Sequence, residues 1–293
     1  MKKALLYSIF ALGIASTTLT SCEDIFGGFL DKQPSNELTG EQVFSDWNLT
    51  VQFHLDTYNF LRHGAGRIST TWLDAATDLA ETSYGNGVRT SFNIGNFYGG
   101  SGASELVDTW EHYYRGIRKC NMLLTRIEEV PQNPADSEDK YNRDKKNYIA
   151  EARFLRAYFY WELFLRYGPI PIVTEVLDPN GDLMSKYTTR PTTKEYVVDF
   201  ILEELKSCEG NLLDYETAWK SSSAGRIGQP MACALRSRIM LFMASPRYSS
   251  ESGITWQQAA DVAKEFIDTY GTNFALFNAK DATGATLGIE NYT

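Results

Sequence analysis

Several common functional features are scarce or missing in this 293-residue sequence. Basic charge is in deficit, since 28 lysines and arginines stand against 37 aspartates and glutamates, giving a formal net charge of −9. Nucleic-acid binding needs a clustered basic face, so we exclude that class of function. The four cysteines have neither metal-ligand nor C-x-x-C spacing, which excludes a zinc site or a disulfide framework. Apart from the first cysteine, we expect Cys120, Cys208 and Cys233 to be buried free thiols.

Catalytic signatures are missing as well. The sequence has no defensible G-x-S-x-G, H-E-x-x-H, P-loop or G-x-G-x-x-G motif. His54, His63 and His112 lie too far apart for a metal site, so we expect them to be core or surface residues. Acids such as Asp74 and Asp78 are plentiful, but glycoside hydrolysis needs two carboxyl groups about 5 to 9.5 Å apart in a cleft, which a sequence cannot show. We therefore predict a protein that is not an enzyme and has no cofactor, with a glycoside hydrolase as the third-ranked alternative.

Long apolar runs are confined to the N-terminus. After a positive start, Ala4 to Ala15 forms an apolar run that is too short to span a bilayer and is typical of a secretory signal. The next segment, Leu19–Cys22, resembles a bacterial lipobox, in which Cys22 is acylated, and the acids at positions 23 and 24 resemble the signal of surface-exposed lipoproteins. An ordinary cleaved signal with an incidental cysteine is the alternative. We expect a signal peptide over residues 1–21, a tether over 22–40 and a domain that is anchored to the membrane without spanning it.

Helical patterns dominate the rest of the sequence. Caps and apolar periodicity predict five helices: Ser104–Val130, Tyr148–Tyr167, Thr192–Cys208, Pro230–Ala244 and Thr255–Gly271. The first should bury one continuous stripe, made of Leu106, Trp110, Tyr113, Ile117, Cys120, Leu124 and Ile127. The second is apolar on more than one face, so we expect it to pack between neighbours. No run of strict alternation competes with these patterns, and the predicted fold class is mostly α.

The helices also show a weak internal repeat. Residues Ala152–Phe159 align with Ala232–Ile239, matching small residues, a leucine, an arginine and an apolar residue in register. This predicts tetratricopeptide-like stacked helical hairpins joined by long irregular loops. Glu162 and Arg166 lie four residues apart on one helix and predict an ion pair, and we expect the arginines at positions 153 and 156 to bind helix ends or neighbouring acids.

Six sequence pieces together resemble the SusD/RagB family of outer-membrane lipoproteins. They are the lipobox with its acidic follower, the pattern Trp110-x-x-x-Tyr114-x-x-Ile117-x-x-x-Asn121, the segment EARFLRAYFYWELFLRYGPIPIV from Glu151 to Val173, Arg190-Pro191-Thr192-Thr193, Gly225-Arg226, and Ala244-Ser245-Pro246-Arg247-Tyr248. The third piece is the most specific. The resemblance covers essentially the whole sequence.

The resemblance implies a function and a location. It implies a lipid-anchored protein at the outer membrane, facing the cell exterior, that binds glycan and delivers it to a TonB-dependent (SusC-like) outer-membrane transporter. Members of the family run considerably longer, with a C-terminal half packed on the helical half, so we expect residues 41–293 to be a truncated SusD-like domain. The alternative from another class is a helical-repeat protein that binds a peptide, as in the RagB branch, or only docks on the transporter.

We place the ligand site in the loop-rich segment before Ser104. This stretch mixes aromatic side chains with Gly, Asn, Ser and Asp. Aromatic faces stack on the C–H patches of sugars, while acids, amides and arginine bind hydroxyl pairs, and long loops of this kind are usually functional. The candidate ligand-binding residues are Trp72, Asp78, Tyr84, Arg89, Asn96, Phe97 and Tyr98. For any single one of them, a place in the hydrophobic lining under the loop is the alternative.

Overall fold

The structure of the protein is a computed structural model that describes residues 39–62, 73–81, 92–96, 109–178, 180–220 and 223–274. The chain divides into two compact units, Met1–Gln42 and Val43–Thr293. In the first unit, the described residues 39–42 form a helix start in which Thr39 and Gln42 exchange backbone-to-side-chain hydrogen bonds of 2.8 and 3.3 Å. The predicted signal peptide, the lipidation site Cys22 and most of the tether lie outside the described residues.

Within the described residues, the regular elements are helices, and a single parallel bridge between Leu213 and Gly228 is the only β pairing. The α-helices are α1 (Gly40–Phe44), α2 (Trp47–Asp56), α3 (Thr109–Arg126), α4 (Glu138–Tyr167), α5 (Leu183–Lys186), α6 (Glu203–Glu209), α7 (Tyr215–Lys220), α8 (Gln229–Met243), α9 (Ser249–Ser252) and α10 (Trp256–Tyr270). Short 3₁₀ turns cover Thr57–Phe60, Leu73–Ala76, Ile127–Glu129 and Gly271–Asn273, and a π-helix covers Lys194–Leu202. The predicted mostly-α class is confirmed.

Helix α4 is longer than predicted. It begins after Ser137, whose hydroxyl accepts from the Lys140 N–H at 3.2 Å, so the predicted start at Tyr148 was wrong. The extra turns are largely polar and carry no apolar period, but Lys140 lies 3.0 Å from Asp136 and 2.9 Å from Asp144 and supports them through ion pairs four residues apart. The predicted C-terminus is confirmed, because Gly168 ends the helix with a φ of 67°, a value that favours glycine.

The predicted helix starts at Thr192, Pro230 and Thr255 are confirmed, whereas the predicted start at Ser104 lies outside the described residues. Thr192 and Glu195 form a capping box, as do Thr255 and Gln258 at the start of α10. Pro230 lies in the first turn of α8, where its missing N–H costs nothing. The helix that follows Thr192 differs from the prediction in one respect: it runs as the π-helix Lys194–Leu202 before it continues as α6.

The long helices pack as antiparallel neighbours, which confirms the predicted helical hairpins. Tyr113 on α3 contacts Glu162 on α4, and Glu128 in the 3₁₀ turn after α3 contacts Lys145 on α4. The two helices therefore run in opposite directions. The π-helix and α6 run antiparallel to α4 on its other side, where Tyr196 contacts Tyr160 and Glu204 contacts Arg156. Helices α8 and α10 pack against each other, and α8 also packs against α6. Helix α4 therefore lies between neighbours, as its apolar faces predicted.

The core centres on α4. Its aromatic and aliphatic side chains join those of α3, the π-helix and α8 in one cluster, in which Phe154, Phe159, Tyr160, Trp161 and Phe164 are buried. Cys120, Cys208 and Cys233 are buried free thiols, as predicted, and burial raises the pKa of the Cys120 thiol to about 12. No helix in the described part of the chain has the length and apolar character needed to cross a bilayer.

Candidate functional site

The structure describes two of the seven predicted ligand residues. Asp78 and Asn96 lie in exposed turns, and a hydrogen bond of 3.1 Å from the Asn93 amide to the Ala75 carbonyl joins the two turns. Ala75 is buried beneath them, so the turns are anchored while their polar tips face water. The other predicted residues, Trp72, Tyr84, Arg89, Phe97 and Tyr98, lie outside the described residues.

A groove of about 370 Å³ opens beside the N-terminal half of α3 and includes residues that the sequence analysis had not selected. Its wall on α3 holds Trp110, Tyr114 and Ile117, and its opposite wall is the segment 170–177, which we call the strap. Val173, Glu175 and Leu177 line the groove from the strap. We call this feature the aromatic groove.

The exposure of Trp110 differs from the prediction. This residue was predicted to lie in the buried stripe of α3, but 42% of it is exposed. The stripe is buried at Tyr113, Ile117 and Cys120, which face α4, whereas Trp110 lies at the edge of this face. Its ring contacts the rings of Tyr114 at 4.9 Å and Tyr167 at 5.3 Å between centroids, which fixes its orientation while part of the indole faces solvent.

The sequence did contain a signal for the groove. Trp110 and Tyr114 are spaced i, i+4 on one helix and are followed by Arg115 and Arg118, so aromatic and polar side chains share a surface. The buried stripe through Tyr113 obscured this signal, because Trp110 also fits the apolar period of that stripe and Tyr114 is the next residue after Tyr113.

The strap is held to the helices by side chains that bond to its backbone. The Tyr114 hydroxyl donates to the Pro171 carbonyl at 2.9 Å, and the Tyr160 hydroxyl donates to the Val173 carbonyl at 3.0 Å and accepts from its N–H at 2.7 Å. The Asn121 amide donates to the carbonyls of Val173 and Glu175 at 2.9 and 3.1 Å. These bonds fix one wall of the groove without strand pairing.

The rim of the aromatic groove is charged, with both signs present. Arg118 donates to the Leu177 carbonyl at 3.0 Å, and Arg115 lies 3.6 Å from Glu111 in an exposed ion pair. Hydrogen bonds from Lys186 and then Tyr187 to Glu175 hold the pKa of its carboxyl below the usual value. A mainly apolar trough between ionised groups can bind a molecule that has apolar faces and hydroxyl-bearing edges.

A second concavity, of about 730 Å³, is polar and lies between the start of α4, the loop after α6 and the turn before α8. Its floor is formed by Asn147, whose amide donates to the Asn211 carbonyl at 3.2 Å, and by Arg226, which donates to the Asn147 side chain at 2.5 Å. The ring of Tyr148 lies under the Arg226 guanidinium, 4.6 Å from its centroid, so no aromatic face is open for stacking on that side of the ring.

Behind this floor lies a set of ionisable groups that we call the buried ion cluster. Glu151 is fully buried, its Oε2 lies 2.8 Å from His54 Nε2, and its Oε1 lies 2.7 Å from an Arg226 nitrogen. Burial raises the pKa of the adjacent Tyr58 hydroxyl. His54 is thus a core histidine, as predicted, and so the cluster connects α2, α4 and the turn before α8.

Several other ionisable groups among the described residues also form structural ion pairs. Glu162 and Arg166 form the predicted ion pair at 3.0 Å, and Arg156 binds Glu204 at 2.6 Å. The ligand atoms of Glu209, Cys233 and Glu265 lie within 4.8 Å of one another, a spacing that could hold a metal ion. Arg236 lies 2.5 Å from the Glu209 carboxylate and 2.9 Å from that of Glu265, so its guanidinium forms an ion pair with both acids.

Comparison with known proteins identifies related sequences. A model of a SusD-like family, described as "Starch-binding associating with outer membrane", matches residues 28–241. A SusD-like protein of Formosa agariphila is 25% identical over 216 residues, which cover 72% of this chain and 39% of that protein. This chain therefore spans about two fifths of the length of that curated relative.

Solved structures share the fold. A SusD superfamily protein from Parabacteroides distasonis superimposes with a TM-score of 0.60 at 22% identity, covering 82% of this chain and 47% of that one. A structure described as a laminarin-binding SusD-like protein gives a TM-score of 0.55 at 21% identity, covering 83% of this chain and 47% of that one. At these identities the comparison supports the fold alone.

Proposed function

Because the chain belongs to the SusD-like family, we propose that it binds glycan at a bacterial outer membrane and does not catalyse its cleavage. The family description names starch binding and association with the outer membrane, and one structural neighbour is described as binding laminarin. We extend the general property, glycan binding, to this chain. The particular glycan is left open, because stacking on aromatic rings tolerates many sugars.

The observation that carries this proposal is the exposed, oriented indole of Trp110 in the aromatic groove. A sugar ring has C–H faces that pack on an aromatic face, and hydroxyl edges that can reach the charged groups on the groove rim. Trp110 also follows closely in sequence after the loop in which we predicted the ligand site. We propose that the groove and this loop, with Phe97 and Tyr98 as further stacking residues, together bind the ligand.

The location and the partner form part of the same proposal. A lipid on Cys22 would anchor the domain at the membrane surface, since two or more acyl chains give stable binding. The glycan would then pass to a TonB-dependent outer-membrane transporter, as the resemblance implies. Mass spectrometry of the mature N-terminus tests the anchor, and co-purification with the transporter tests the partner.

Affinity electrophoresis tests glycan binding directly. The mature protein without Cys22 is run through gels that contain plant, host or fungal polysaccharides, beside the variants Trp110→Ala and Phe97→Ala/Tyr98→Ala. We expect one polysaccharide to retard the wild type and at least a tenfold loss of affinity in Trp110→Ala. Trp256→Ala is the matched control, because Trp256 is 56% exposed but lies on α10, outside the groove lining.

The outcomes separate the parts of the proposal. Loss of retardation in Phe97→Ala/Tyr98→Ala alone would place the site in the loop and remove the groove from it. A folded wild type that migrates freely in every gel would contradict glycan binding and favour a peptide ligand or transporter docking. Release of reducing ends from any polysaccharide would contradict the assignment as a protein without catalysis.

A further inference from the structure

Among the charged residues that line the aromatic groove, Arg118 alone has no described partner of opposite charge. The two rim carboxylates already have cations, since Glu111 pairs with Arg115 at 3.6 Å and Glu175 binds Lys186. Arg118 also lines the groove and is exposed, but it forms no ion pair with any described acid. The groove therefore carries one uncompensated positive charge, in a protein whose formal net charge is −9.

The Arg118 guanidinium is held at one nitrogen and open at the other two. Its Nη1 donates to the Leu177 carbonyl of the strap at 3.0 Å. The N–H groups of Nε and Nη2 lie parallel on the other edge of the planar group, and no described residue accepts from them. Two parallel N–H groups match the two oxygens of a carboxylate and bind it bidentately. The free edge of Arg118 is therefore suited to a carboxylate.

The groove places this charge at a distance from the stacking ring. Trp110 and Arg118 both line the groove from α3, with Tyr114 between them. Eight residues separate them in sequence, which corresponds to about 12 Å along the helix axis. One sugar ring is shorter than this separation. A ring that stacks on Trp110 and a carboxylate that binds Arg118 therefore belong to different units of one glycan chain.

We propose that the aromatic groove selects acidic glycans, in which a uronic acid lies one or two units from the sugar that stacks on Trp110. This inference rests on the proposed glycan binding and names the class of glycan. Stacking tolerates many sugars, whereas a neutral chain offers Arg118 only hydroxyl groups and forms no charge-assisted pair. The family description names starch, which is neutral, so this chain differs from that description in its preferred ligand.

Affinity electrophoresis and calorimetry with matched polymers test the selection. The acidic probes are polygalacturonate, alginate and hyaluronate, and the neutral probes are starch and laminarin. The acidic polymer that retards the mature protein most is then compared with its own methyl ester, which keeps the sugars and linkages but removes the charge. We expect an affinity at least about tenfold weaker for the ester, the change that losing one charge-assisted hydrogen bond produces.

Variants of Arg118 test whether this residue makes the selection. Arg118→Gln removes the charge, so we expect it to bind the acidic polymer and its ester with equal affinity. Arg118→Lys keeps the charge but not the fork, and should recover only part of the preference. The matched control is Arg238→Gln, because Arg238 is also exposed without a described ionic partner but lies on α8, outside the groove. Thermal unfolding checks that each variant is folded.

The outcomes distinguish this inference from the proposed function. Retardation by starch or laminarin, but by none of the acidic polymers, would refute the selection and leave glycan binding intact. Free migration in every gel would overturn both. An equal loss of affinity for polymer and ester in Arg118→Gln would show that Arg118 only supports the strap. Tighter binding of dextran sulfate would reassign the anion to sulfate, and equal affinity for polyglutamate would reassign the groove to acidic peptides.

Discussion

The buried ion cluster and the aromatic groove invert the usual placement of side chains. In the cluster, a carboxylate that is 0% exposed lies inside the protein between His54 and Arg226, whereas in the groove a tryptophan that is 42% exposed lies at the surface. The buried charges are expensive to desolvate and are held only because each has a partner. The tryptophan contacts two other rings, and its exposed part remains available for a ligand. The comparison separates residues that secure the fold from residues that can bind.

Breaking the buried ion cluster should cause the largest loss of stability. Glu151→Gln keeps the side-chain shape but leaves Arg226 without its counter-ion, so we expect a loss of about 3 to 5 kcal/mol in the free energy of unfolding. Urea denaturation measures it. The control is Asp268→Asn, which breaks the exposed pair with Lys264 and should cost less than about 1 kcal/mol. Equal costs for the two variants would show that the cluster contributes no more than a surface pair.

The seam between α3 and α4 comes next, because it supports both regions. A Cβ on Gly116 would lie 2.7 Å from a ring carbon of Phe159, which is closely packed in the core. We expect Gly116→Ala to destabilise the protein by about 1 to 3 kcal/mol through overpacking. Gly116→Ala/Phe159→Leu should recover part of this loss in the same denaturation experiment. If the single variant is as stable as the wild type, the seam has room that its geometry does not indicate.

A pair of tryptophan variants sharpens the comparison. Trp110→Ala should cost about 1 kcal/mol of unfolding free energy, because much of the side chain is already in water, yet it should weaken glycan binding at least tenfold. Trp161→Ala should cost about 3 to 5 kcal/mol, because this residue is only 2% exposed. Calorimetry with and without the polysaccharide measures both quantities. A large loss of stability in Trp110→Ala would identify the residue as structural.

The smallest expected effect concerns Asp214, which lines the second, polar concavity. Hydrogen bonds from the Thr217 N–H and hydroxyl to Asp214, at the start of α7, hold the pKa of its carboxyl below the usual value. Its contribution is therefore present above the unfolded pKa and is lost as the pH falls through the folded value. Asp214→Ala should cost about 0.5 to 1 kcal/mol at pH 7, and this difference from the wild type should vanish near pH 2. A difference that persists at pH 2 would mean that the cap does not act through its charge.

Local chemistry made much of the fold predictable. The caps at Thr192, Pro230 and Thr255 and the glycine at the end of α4 each act within one turn, so their residues alone were sufficient. The start of α4 was misplaced because its first turns are stabilised by ion pairs on a polar surface, which apolar periodicity cannot detect. The π-helix was not predicted either, and the structure gives no local residue that explains it.

The site was less predictable for a different reason. Periodicity correctly assigned Trp110 to a helix, but its exposure depends on which elements pack beside it, and that is a property of tertiary structure. Glu151, His54 and Arg226 are distant in sequence and form one cluster only because α2, α4 and the turn before α8 converge. Asp78 and Asn96 are exposed, while their role in binding stays a prediction.

The way the strap is attached has a consequence for its mutational tolerance. Its inward bonds join helix side chains to strap backbone, and every amino acid supplies the same backbone carbonyl. Substitutions of Val173 or Glu175 can therefore keep the attachment, whereas loss of Tyr160 or Asn121 removes two bonds each. The strap can therefore vary its own side chains, while the residues that hold it in place are four side chains of α3 and α4: Tyr114, Arg118, Asn121 and Tyr160.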